Sequence, residues 1–205
     1  MKKYISNLHF ITHAKEIDQI LTQIESACAS GVDWVQLRWK GAQKNDFIDV
    51  AKKAKALCEK YRATFIVNDD VEVAKIVRAD GVHLGQADTA VKRARMILGK
   101  KIIIGLTCNT FEQISKVDIH HVDYIGLGPY RATSTKEKIS PVLGVEGYQE
   151  ILSKDRPDIP VIGIGGIVEN DVEILKKTPL SGLAVSGAII NSENQEATVA
   201  AFKSF

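Results

Sequence analysis

Carboxylates follow two consecutive apolar runs of the sequence, close to the point where each run ends. Asp69 and Asp70 come directly after one run, and Asp88 comes a few residues after the next. Asp is a common helix N-cap residue, so capping explains one of these carboxylates but not all three. Two carboxylates on neighbouring strand ends, beside Asn68, offer the oxygen ligands that Mg2+ prefers. The pattern therefore predicts a site for a metal-bound diphosphate.

Basic side chains end an earlier apolar run, residues 34–37. Strand alternation points Gln36, Arg38 and Lys40 to the same side, where the two cations would face the diphosphate. The alternative is a solvated strand end that pairs with nearby acids. His83 lies in the middle of an apolar run, so we interpret it first as an interior histidine and only second as a catalytic group.

A second group of residues is suited to a monophosphate. Three hydroxyl side chains and a lysine follow the sixth apolar run, and glycines and a serine follow the seventh and eighth. Hydroxyls and backbone N–H groups bind phosphate, and the loops after the last two strands are the usual phosphate site of α/β barrels. The alternatives are a flexible polar loop and glycines that serve tight turns only. The candidates are Thr133, Ser134, Thr135, Lys136, Gly166, Ser186 and Gly187.

These residues sit on a regular alternation of short apolar runs and helix-period stretches, which is typical of repeated βα units. Eight units of roughly 25 residues each favour an α/β fold of the (β/α)8 TIM-barrel type over an open doubly wound sheet, as one domain over residues 1–205. The predicted helices are residues 14–30, 45–60, 71–77, 89–98, 111–116, 145–152, 168–177 and 194–202. The predicted strands are residues 8–12, 34–37, 64–68, 81–84, 102–106, 124–126, 161–164 and 183–185.

Composition narrows the function further. The 27 basic residues nearly balance the 25 acidic ones, which argues against nucleic acid as a partner and favours small-molecule substrates. Neither a signal peptide nor an apolar run of membrane-spanning length is present, so we expect a cytoplasmic protein without membrane contact. Cys28, Cys58 and Cys108 show no metal-binding spacing and are expected to be reduced. The sequence leaves open whether the chain forms a homo-oligomer.

Several motifs together give a family resemblance. VQLRWK, VNDD, ADGVHLGQAD, a GP followed by TSTK, and IGIGGI occur in this order at the predicted strand ends. The sequence closely resembles the thiamine-phosphate synthase family from residue 8 to the last helix. The resemblance implies a TIM-barrel transferase that joins 4-amino-2-methyl-5-hydroxymethylpyrimidine diphosphate to 4-methyl-5-(2-phosphooxyethyl)thiazole. The products are thiamine phosphate and diphosphate, and the substrates match the two anion sites inferred from the residues.

The resemblance also implies a role for each candidate residue. Asp69 and Asp88 would ligate Mg2+, and Thr107 after the fifth strand would touch the pyrimidine. Diphosphate would leave from a benzylic-type carbon to give a pyrimidine cation, so the catalytic groups would be the cations Arg38, Lys40 and Lys136. The remaining implied contacts are Gln36 and Asn68 for the pyrimidine diphosphate, and Thr133, Ser134, Thr135, Gly166, Ser186 and Gly187 for the thiazole phosphate.

Three departures from the family pattern stand out. Arg131-Ala132 replaces an aromatic-Pro pair, Thr107-Cys108 replaces a Ser followed by Thr or Ala, and Gly187 replaces a phosphate-binding Ser. The alternatives are a thiazole tautomerase-like relative, which would carry a His near Gly128-Pro129, a non-catalytic barrel that binds thiamine phosphates, and a sugar-phosphate isomerase. We expect residues 128–144 to act as a lid that excludes water.

Overall fold

Eight short strands close into a parallel barrel in the computed structural model, which describes residues 3–14, 16–132 and 141–205. Each strand pairs with its neighbours in sequence, and the eighth pairs back with the first. The (β/α)8 barrel predicted from the sequence is therefore confirmed. The strands are β1 (Leu8–Ile11), β2 (Trp34–Leu37), β3 (Thr64–Asn68), β4 (Gly81–Leu84), β5 (Ile103–Cys108), β6 (Tyr124–Leu127), β7 (Val161–Ile164) and β8 (Gly182–Val185).

Helices cover the outside of the barrel. The second helix shows the reason, since Phe47, Val50, Ala54 and Cys58 fall on one helical face and are buried against the sheet. No helix in the described part of the chain has the length and apolarity needed to cross a membrane. The helices are α1 (Ile17–Ala29), α2 (Lys44–Lys60), α3 (Val71–Ile76), α4 (Val91–Leu98), α5 (Phe111–Ser115), α6 (Gly144–Leu152), α7 (Val172–Leu175), α8 (Gly187–Ile190) and α9 (Gln195–Lys203).

Several elements begin or end a few residues from their predicted bounds, and three of the differences from prediction concern elements near the cavity. Strand β5 continues to Cys108 because that residue still pairs with Leu127 of β6, so Thr107 lies within the strand and not after it. The stretch predicted as one helix over 168–177 is a 3-10 turn, Glu169–Asp171, followed by the short helix α7. Helix α8 was not predicted, because a single turn is too short to show a 3.6-residue period.

The barrel interior is filled differently from the space between sheet and helices. Side chains packed outside the strands are almost all apolar, whereas the interior floor contains His9, Trp34 and Tyr124, all at most 1% exposed. The His9 ring stacks on Trp34 at 4.2 Å, and the Tyr124 ring meets both of them edge-on. This aromatic floor closes the barrel below the carboxyl ends of the strands, so the open end of the barrel is the mouth of the cavity described next.

Candidate active site

A cavity of about 420 Å3 opens at the carboxyl ends of the strands. This is the face at which α/β barrels place their ligand sites. One wall is made by residues of β2 to β5, and the opposite wall by the loops after β6, β7 and β8. Lining residues that the sequence predicted as site residues are Gln36, Arg38, Asn68, Thr107, Gly166, Ser186 and Gly187.

Gln36 and Asn68 form a buried amide pair on the first wall. The Gln36 Nε2 donates to Asn68 Oδ1 at 2.7 Å, and the two residues are 3% and 9% exposed. Their positions on β2 and β3 explain the contact, because each is the last inward-facing residue of its strand. The pairing uses one donor and one acceptor, which leaves the Gln36 carbonyl oxygen and the Asn68 amino group for a ligand.

Arg38 is fixed by a residue that the sequence did not single out. Its backbone N–H donates to Thr12 Oγ1 at 2.8 Å, and that hydroxyl donates to the Arg38 carbonyl oxygen at 3.1 Å. This exchange ties the end of β1 to the end of β2 and sets the direction in which Arg38 leaves the strand. Lys40, two residues further, makes an ion pair with Asp69. Arg38 therefore lines the cavity, and Lys40 reaches the Asp69 carboxylate.

The turn after β3 separates the roles of the two adjacent acids. Asp70 caps α3, since its carboxylate accepts from the Val73 N–H at 2.9 Å. Asp69 has the left-handed backbone angle φ of 67°, which is uncommon for a residue other than glycine, and its N–H donates to the His83 carbonyl oxygen at 2.8 Å. A strained backbone at a cavity mouth is typical of functional residues. Asp69 is thus the acid of this pair that is available to a ligand.

Asp88 lies beside Asp69. Its Oδ2 accepts from the Gly85 N–H at 2.7 Å. Burial raises the pKa of Asp88, and the hydrogen-bonded, negatively charged Asp69 raises it further, while the Gly85 N–H lowers it. Two carboxyl groups in contact repel each other when both are ionised, and a cation between them removes this repulsion.

This pair fits a hard divalent cation. Carboxylate oxygens are the ligands that Mg2+ takes from proteins, and Mg2+ usually keeps several waters or phosphate oxygens besides one or two carboxylates. Among residues 3–14, 16–132 and 141–205, no group of three or more His, Cys, Asp or Glu side chains gathers into a metal site. The protein would accordingly supply two ligands, Asp69 and Asp88, and a bound diphosphate would supply others.

His83 sits in the barrel interior between two hydroxyl groups. Its Nδ1 lies 2.8 Å from Tyr124 Oη, and its Nε2 lies 2.8 Å from Thr107 Oγ1. The ring is 6% exposed, in agreement with the interpretation as an interior histidine, yet it also lines the cavity. Gln86, which follows β4, donates from Nε2 to the Thr107 carbonyl oxygen at 2.6 Å. Thr107 is therefore hydrogen-bonded both by His83 on β4 and by Gln86, which follows β4.

The opposite wall offers backbone groups. Gly165 and Gly166 have φ of 106° and 68°, and a Cβ on Gly165 would lie 2.8 Å from the Pro129 Cα. Only glycine accommodates both this conformation and this close approach. Ser186 has a buried Oγ without a hydrogen-bond partner in the described part of the chain, and it lies at the cavity beside Gly187, the first residue of α8. An orphaned hydroxyl and adjacent backbone N–H groups suit an anion.

Arg131 joins the loops after β6 and β7. Its guanidinium donates to both carboxylate oxygens of Asp171 at 2.8 Å and to the Gly166 carbonyl oxygen at 2.5 Å, and its backbone N–H donates to the Gly165 carbonyl oxygen at 3.0 Å. The guanidinium also covers the Tyr130 ring at 4.9 Å. We call these contacts of Arg131 with Asp171 and Gly166 the arginine clasp. The sequence showed Arg131 only as a departure from the family pattern.

Four predicted site residues, Thr133, Ser134, Thr135 and Lys136, lie outside the described residues, as do all of residues 133–140 of the predicted lid. The described flanks of that segment are tied together. The Leu143 N–H donates to the Pro129 carbonyl oxygen at 2.9 Å, and the Gly144 N–H donates to the Tyr130 carbonyl oxygen at 3.0 Å. Both ends of the segment therefore start from the wall that carries the glycines.

Comparison with known proteins gives a consistent match. The sequence matches the family model described as thiamine monophosphate synthase over residues 8–189. A thiamine-phosphate synthase of Flavobacterium johnsoniae is 44% identical over 194 residues, 93% of this chain and 92% of the relative. A thiamine-phosphate synthase of Bacteroides fragilis is 43% identical over 192 residues, 91% of this chain and 93% of the relative.

Solved structures agree with the sequence matches. Thiamine phosphate pyrophosphorylase from Pyrococcus furiosus superposes with a TM-score of 0.82 at 29% identity, covering 97% of this chain and 94% of that chain. Orotidine 5'-phosphate decarboxylase from Pyrococcus horikoshii superposes with a TM-score of 0.68 at 13% identity, covering 96% of this chain and 97% of that chain. The second likeness concerns the barrel fold alone.

Proposed function

The chain belongs to the thiamine monophosphate synthase family, and we propose that its barrel joins the pyrimidine diphosphate to the thiazole phosphate, giving thiamine phosphate and releasing diphosphate. It is a transferase. The observation that carries this proposal is the arrangement of two different anion-binding walls around one cavity. Gln36, Arg38 and Asn68 line one side, and Asp69 and Asp88 line a separate depression that begins at the residue after Asn68. Gly166 and Ser186 line the other side.

The diphosphate would bind on the side of the charged residues. Mg2+, held by Asp69 and Asp88, would supply a Lewis acid that stabilises negative charge on the leaving group. Lys40 pairs with Asp69 and would turn to a diphosphate oxygen once that carboxylate ligates the metal. Arg38 lines the cavity. Lys136 is assigned to the same group of cations by family resemblance. These three cations are the proposed catalytic residues, because they would neutralise the charge that develops as diphosphate departs.

The pyrimidine would bind between the polar side chains of the first wall. Gln36 and Asn68 offer an acceptor and a donor, and Thr107 offers a hydroxyl that also lines the cavity. An aminopyrimidine presents donors and acceptors in one plane, which this set of groups complements.

The thiazole phosphate would bind on the opposite wall. Its phosphate group would take backbone N–H groups at Gly166 and Gly187 and the unpartnered Ser186 hydroxyl. Thr133, Ser134 and Thr135 are proposed as further contacts on the basis of the family resemblance. The ring nitrogen would then face the pyrimidine across the cavity.

The proposed reaction has one bond broken and one formed. The bond between the pyrimidine methylene carbon and the diphosphate oxygen breaks, and diphosphate leaves with the electron pair. The thiazole nitrogen then gives its lone pair to the resulting cation. No protein nucleophile is needed, in keeping with the burial of Cys28, Cys58 and Cys108. Water would trap the cation, so the closed aromatic floor below the site serves the chemistry as well as the fold.

A direct test incubates the purified protein with both substrates and Mg2+ and measures thiamine phosphate as fluorescent thiochrome. We expect product that depends on both substrates and on the metal, with loss of product on chelation and recovery on adding Mg2+ back. A folded, metal-loaded protein that forms no product but binds thiamine phosphate would support the non-catalytic alternative. Turnover of a thiazole carboxylate phosphate alone would support the tautomerase alternative.

A further inference from the structure

The inside of the barrel holds a line of three polar side chains that ends in the cavity. Tyr124 lies on the aromatic floor at 1% exposure, His83 lies above it, and Thr107 lies at the cavity wall. Both hydrogen bonds of the line measure 2.8 Å, one from Tyr124 Oη to His83 Nδ1 and one from His83 Nε2 to Thr107 Oγ1. The line therefore connects a fully buried hydroxyl to a hydroxyl that faces the substrate site.

Two interior glycines make room for this arrangement. A Cβ on Gly105 would lie 2.2 Å from Tyr124 Cζ and 2.5 Å from His83 Nδ1, at the hydrogen bond between the two rings. A Cβ on Gly126 would lie 3.0 Å from His83 Cε1. Any larger residue at Gly105 would displace one of the rings. The sequence thus keeps the interior positions next to both rings without side chains.

The buried Tyr124 hydroxyl determines which atom donates in each hydrogen bond of the line. Burial raises the pKa of Tyr124, so its hydroxyl keeps its proton. A buried hydroxyl proton needs an acceptor, and His83 Nδ1 is the acceptor that the described residues place within hydrogen-bonding distance. A neutral imidazole that accepts at Nδ1 carries its proton on Nε2. The Nε2–H then donates to Thr107 Oγ1.

The described residues offer the Thr107 hydroxyl proton no acceptor within the barrel wall. Since Oγ1 accepts from His83, the Thr107 O–H is free to donate toward the cavity. We propose that Tyr124 is a positioning residue that holds His83 as the Nε2–H tautomer, so that Thr107 presents a hydrogen-bond donor to an unprotonated ring nitrogen of the bound pyrimidine. The identity of the substrate in this inference rests on the proposed function, whereas the tautomer of His83 rests on the geometry of the two hydrogen bonds.

The opposite tautomer would reverse the selectivity of the site. With the proton on Nδ1, Thr107 would donate to His83 and offer only an acceptor to the ligand. A pyrimidinone, in which a ring N–H replaces the unprotonated nitrogen, would then be favoured over the aminopyrimidine. The Thr107 backbone is held independently by Gln86, so a change in tautomer would alter the direction of the hydroxyl proton without moving the strand.

The tautomer is read directly by 15N nuclear magnetic resonance of the histidine side chains at pH 8, with His83 assigned by its loss in His83→Asn. We expect a protonated Nε2 and an unprotonated Nδ1 for His83 in the unmodified protein. A protonated Nδ1 would overturn the proposal without any variant and without an activity measurement. This readout stands whether or not the protein makes thiamine phosphate.

The variant Tyr124→Phe keeps the ring and removes the hydroxyl. We expect the His83 tautomer to shift toward Nδ1–H, the KM for the pyrimidine diphosphate to rise about 5- to 10-fold, and the KM for the thiazole phosphate to stay unchanged. Tyr148→Phe is the matched control, because Tyr148 is equally buried but donates to the Leu127 carbonyl oxygen. An unchanged tautomer in Tyr124→Phe, or an equal rise in both KM values, would refute the positioning role.

Discussion

The two walls of the cavity bind charge by different means. The wall formed by β2, β3 and β4 uses side chains: Lys40 pairs with Asp69, and Asp69 contacts Asp88. The two acids line a depression that adjoins the cavity next to Asn68. The wall formed by the loops after β7 and β8 uses backbone groups around Gly165, Gly166 and Gly187, with one buried hydroxyl from Ser186. The first wall offers full charges to the proposed metal and diphosphate, and the second offers dipoles to the proposed single phosphate.

This difference determines how each wall is kept in place. Charged side chains need partners while no ligand is bound, and the structure supplies them within the wall through the Lys40 ion pair and the Gly85 N–H on Asp88. Backbone groups need no counter-charge, but they depend on a fixed loop shape. The arginine clasp fixes that shape from outside the site. A substitution in the first wall should therefore change the chemistry, and a substitution in the second should change the binding of one substrate.

Removal of a carboxylate charge from the first wall should have the largest effect. In Asp88→Asn the side chain keeps its shape and its acceptor for the Gly85 N–H, but loses the charge that would hold Mg2+. We expect kcat to fall about 100-fold and the Mg2+ concentration for half-maximal activity to rise, with little change in the KM for the thiazole phosphate. Steady-state kinetics over a Mg2+ titration measures all three quantities.

The matched control for that variant is Asp70→Asn. Asp70 caps α3, and Asn is an equally good cap, so turnover and the metal titration should stay as in the unmodified protein. An unaltered Mg2+ titration in Asp88→Asn would remove Asp88 from the metal site. A metal effect of similar size in Asp70→Asn would show that the wall responds to total charge instead of to specific ligands.

Loss of the arginine clasp should have an intermediate effect, restricted to the second wall. Arg131→Lys keeps the charge but cannot donate to both oxygens of Asp171 and to the Gly166 carbonyl oxygen at once. We expect the KM for the thiazole phosphate to rise about fivefold and the KM for the pyrimidine diphosphate to stay constant. A lower melting temperature should accompany the change, because Asp171 is buried and would lose part of its pairing.

The double variant Arg131→Lys with Asp171→Asn sharpens this test. If the two residues act as one clasp, the double variant should be little worse than either single one. Additive effects would show that each residue acts separately. A parallel rise in both KM values would contradict the division of the cavity into two independent walls.

Much of the first wall was predictable from the sequence, because it is local. Gln36 and Arg38 line the cavity as strand alternation predicts, but β2 ends at Leu37 and Lys40 is not among the lining residues. The acids follow two strands that a parallel barrel places side by side. The choice between Asp69 and Asp70 was not predictable from spacing. It depends on the left-handed turn at Asp69 and on which side chain caps α3. Both positions are Asp, so the residue type does not tell the two roles apart.

The second wall and the barrel interior were harder to predict, because they depend on contacts between distant residues. Arg131 and Asp171 are 40 positions apart, and neither belongs to a recognisable motif. Gly105 and Gly126 look like ordinary strand glycines until the rings of Tyr124 and His83 are seen to occupy their missing side-chain space. The roles of Thr133, Ser134, Thr135 and Lys136 stay predictions of the family resemblance.

The smallest expected effect is a modest gain in the affinity of the second wall for the thiazole phosphate. Gly187 has room for a side chain, since among the described residues a Cβ there would meet Asn191 Nδ2 alone, at 3.4 Å, and its φ is not in the left-handed region. Gly187→Ser would add a hydroxyl donor beside Ser186, as the family pattern has it. We expect the KM for the thiazole phosphate to fall about threefold at unchanged kcat, because the added hydrogen bond to a charged group is partly offset by the cost of ordering the side chain.

Gly166→Ser is the contrasting control for that gain. Gly166 has a φ of 68°, and a Cβ there would lie 3.2 Å from the Arg131 Cβ, so the same chemical change should weaken the site by straining the turn and the arginine clasp. Opposite shifts of the thiazole phosphate KM in the two variants would show that the affinity of the second wall depends first on the shape of its backbone. An extra hydroxyl would then strengthen binding only where it leaves that shape unchanged. Shifts in the same direction would mean that hydroxyl donors, and not the loop shape, decide the affinity of this wall, and the contrast between the two walls would then fail.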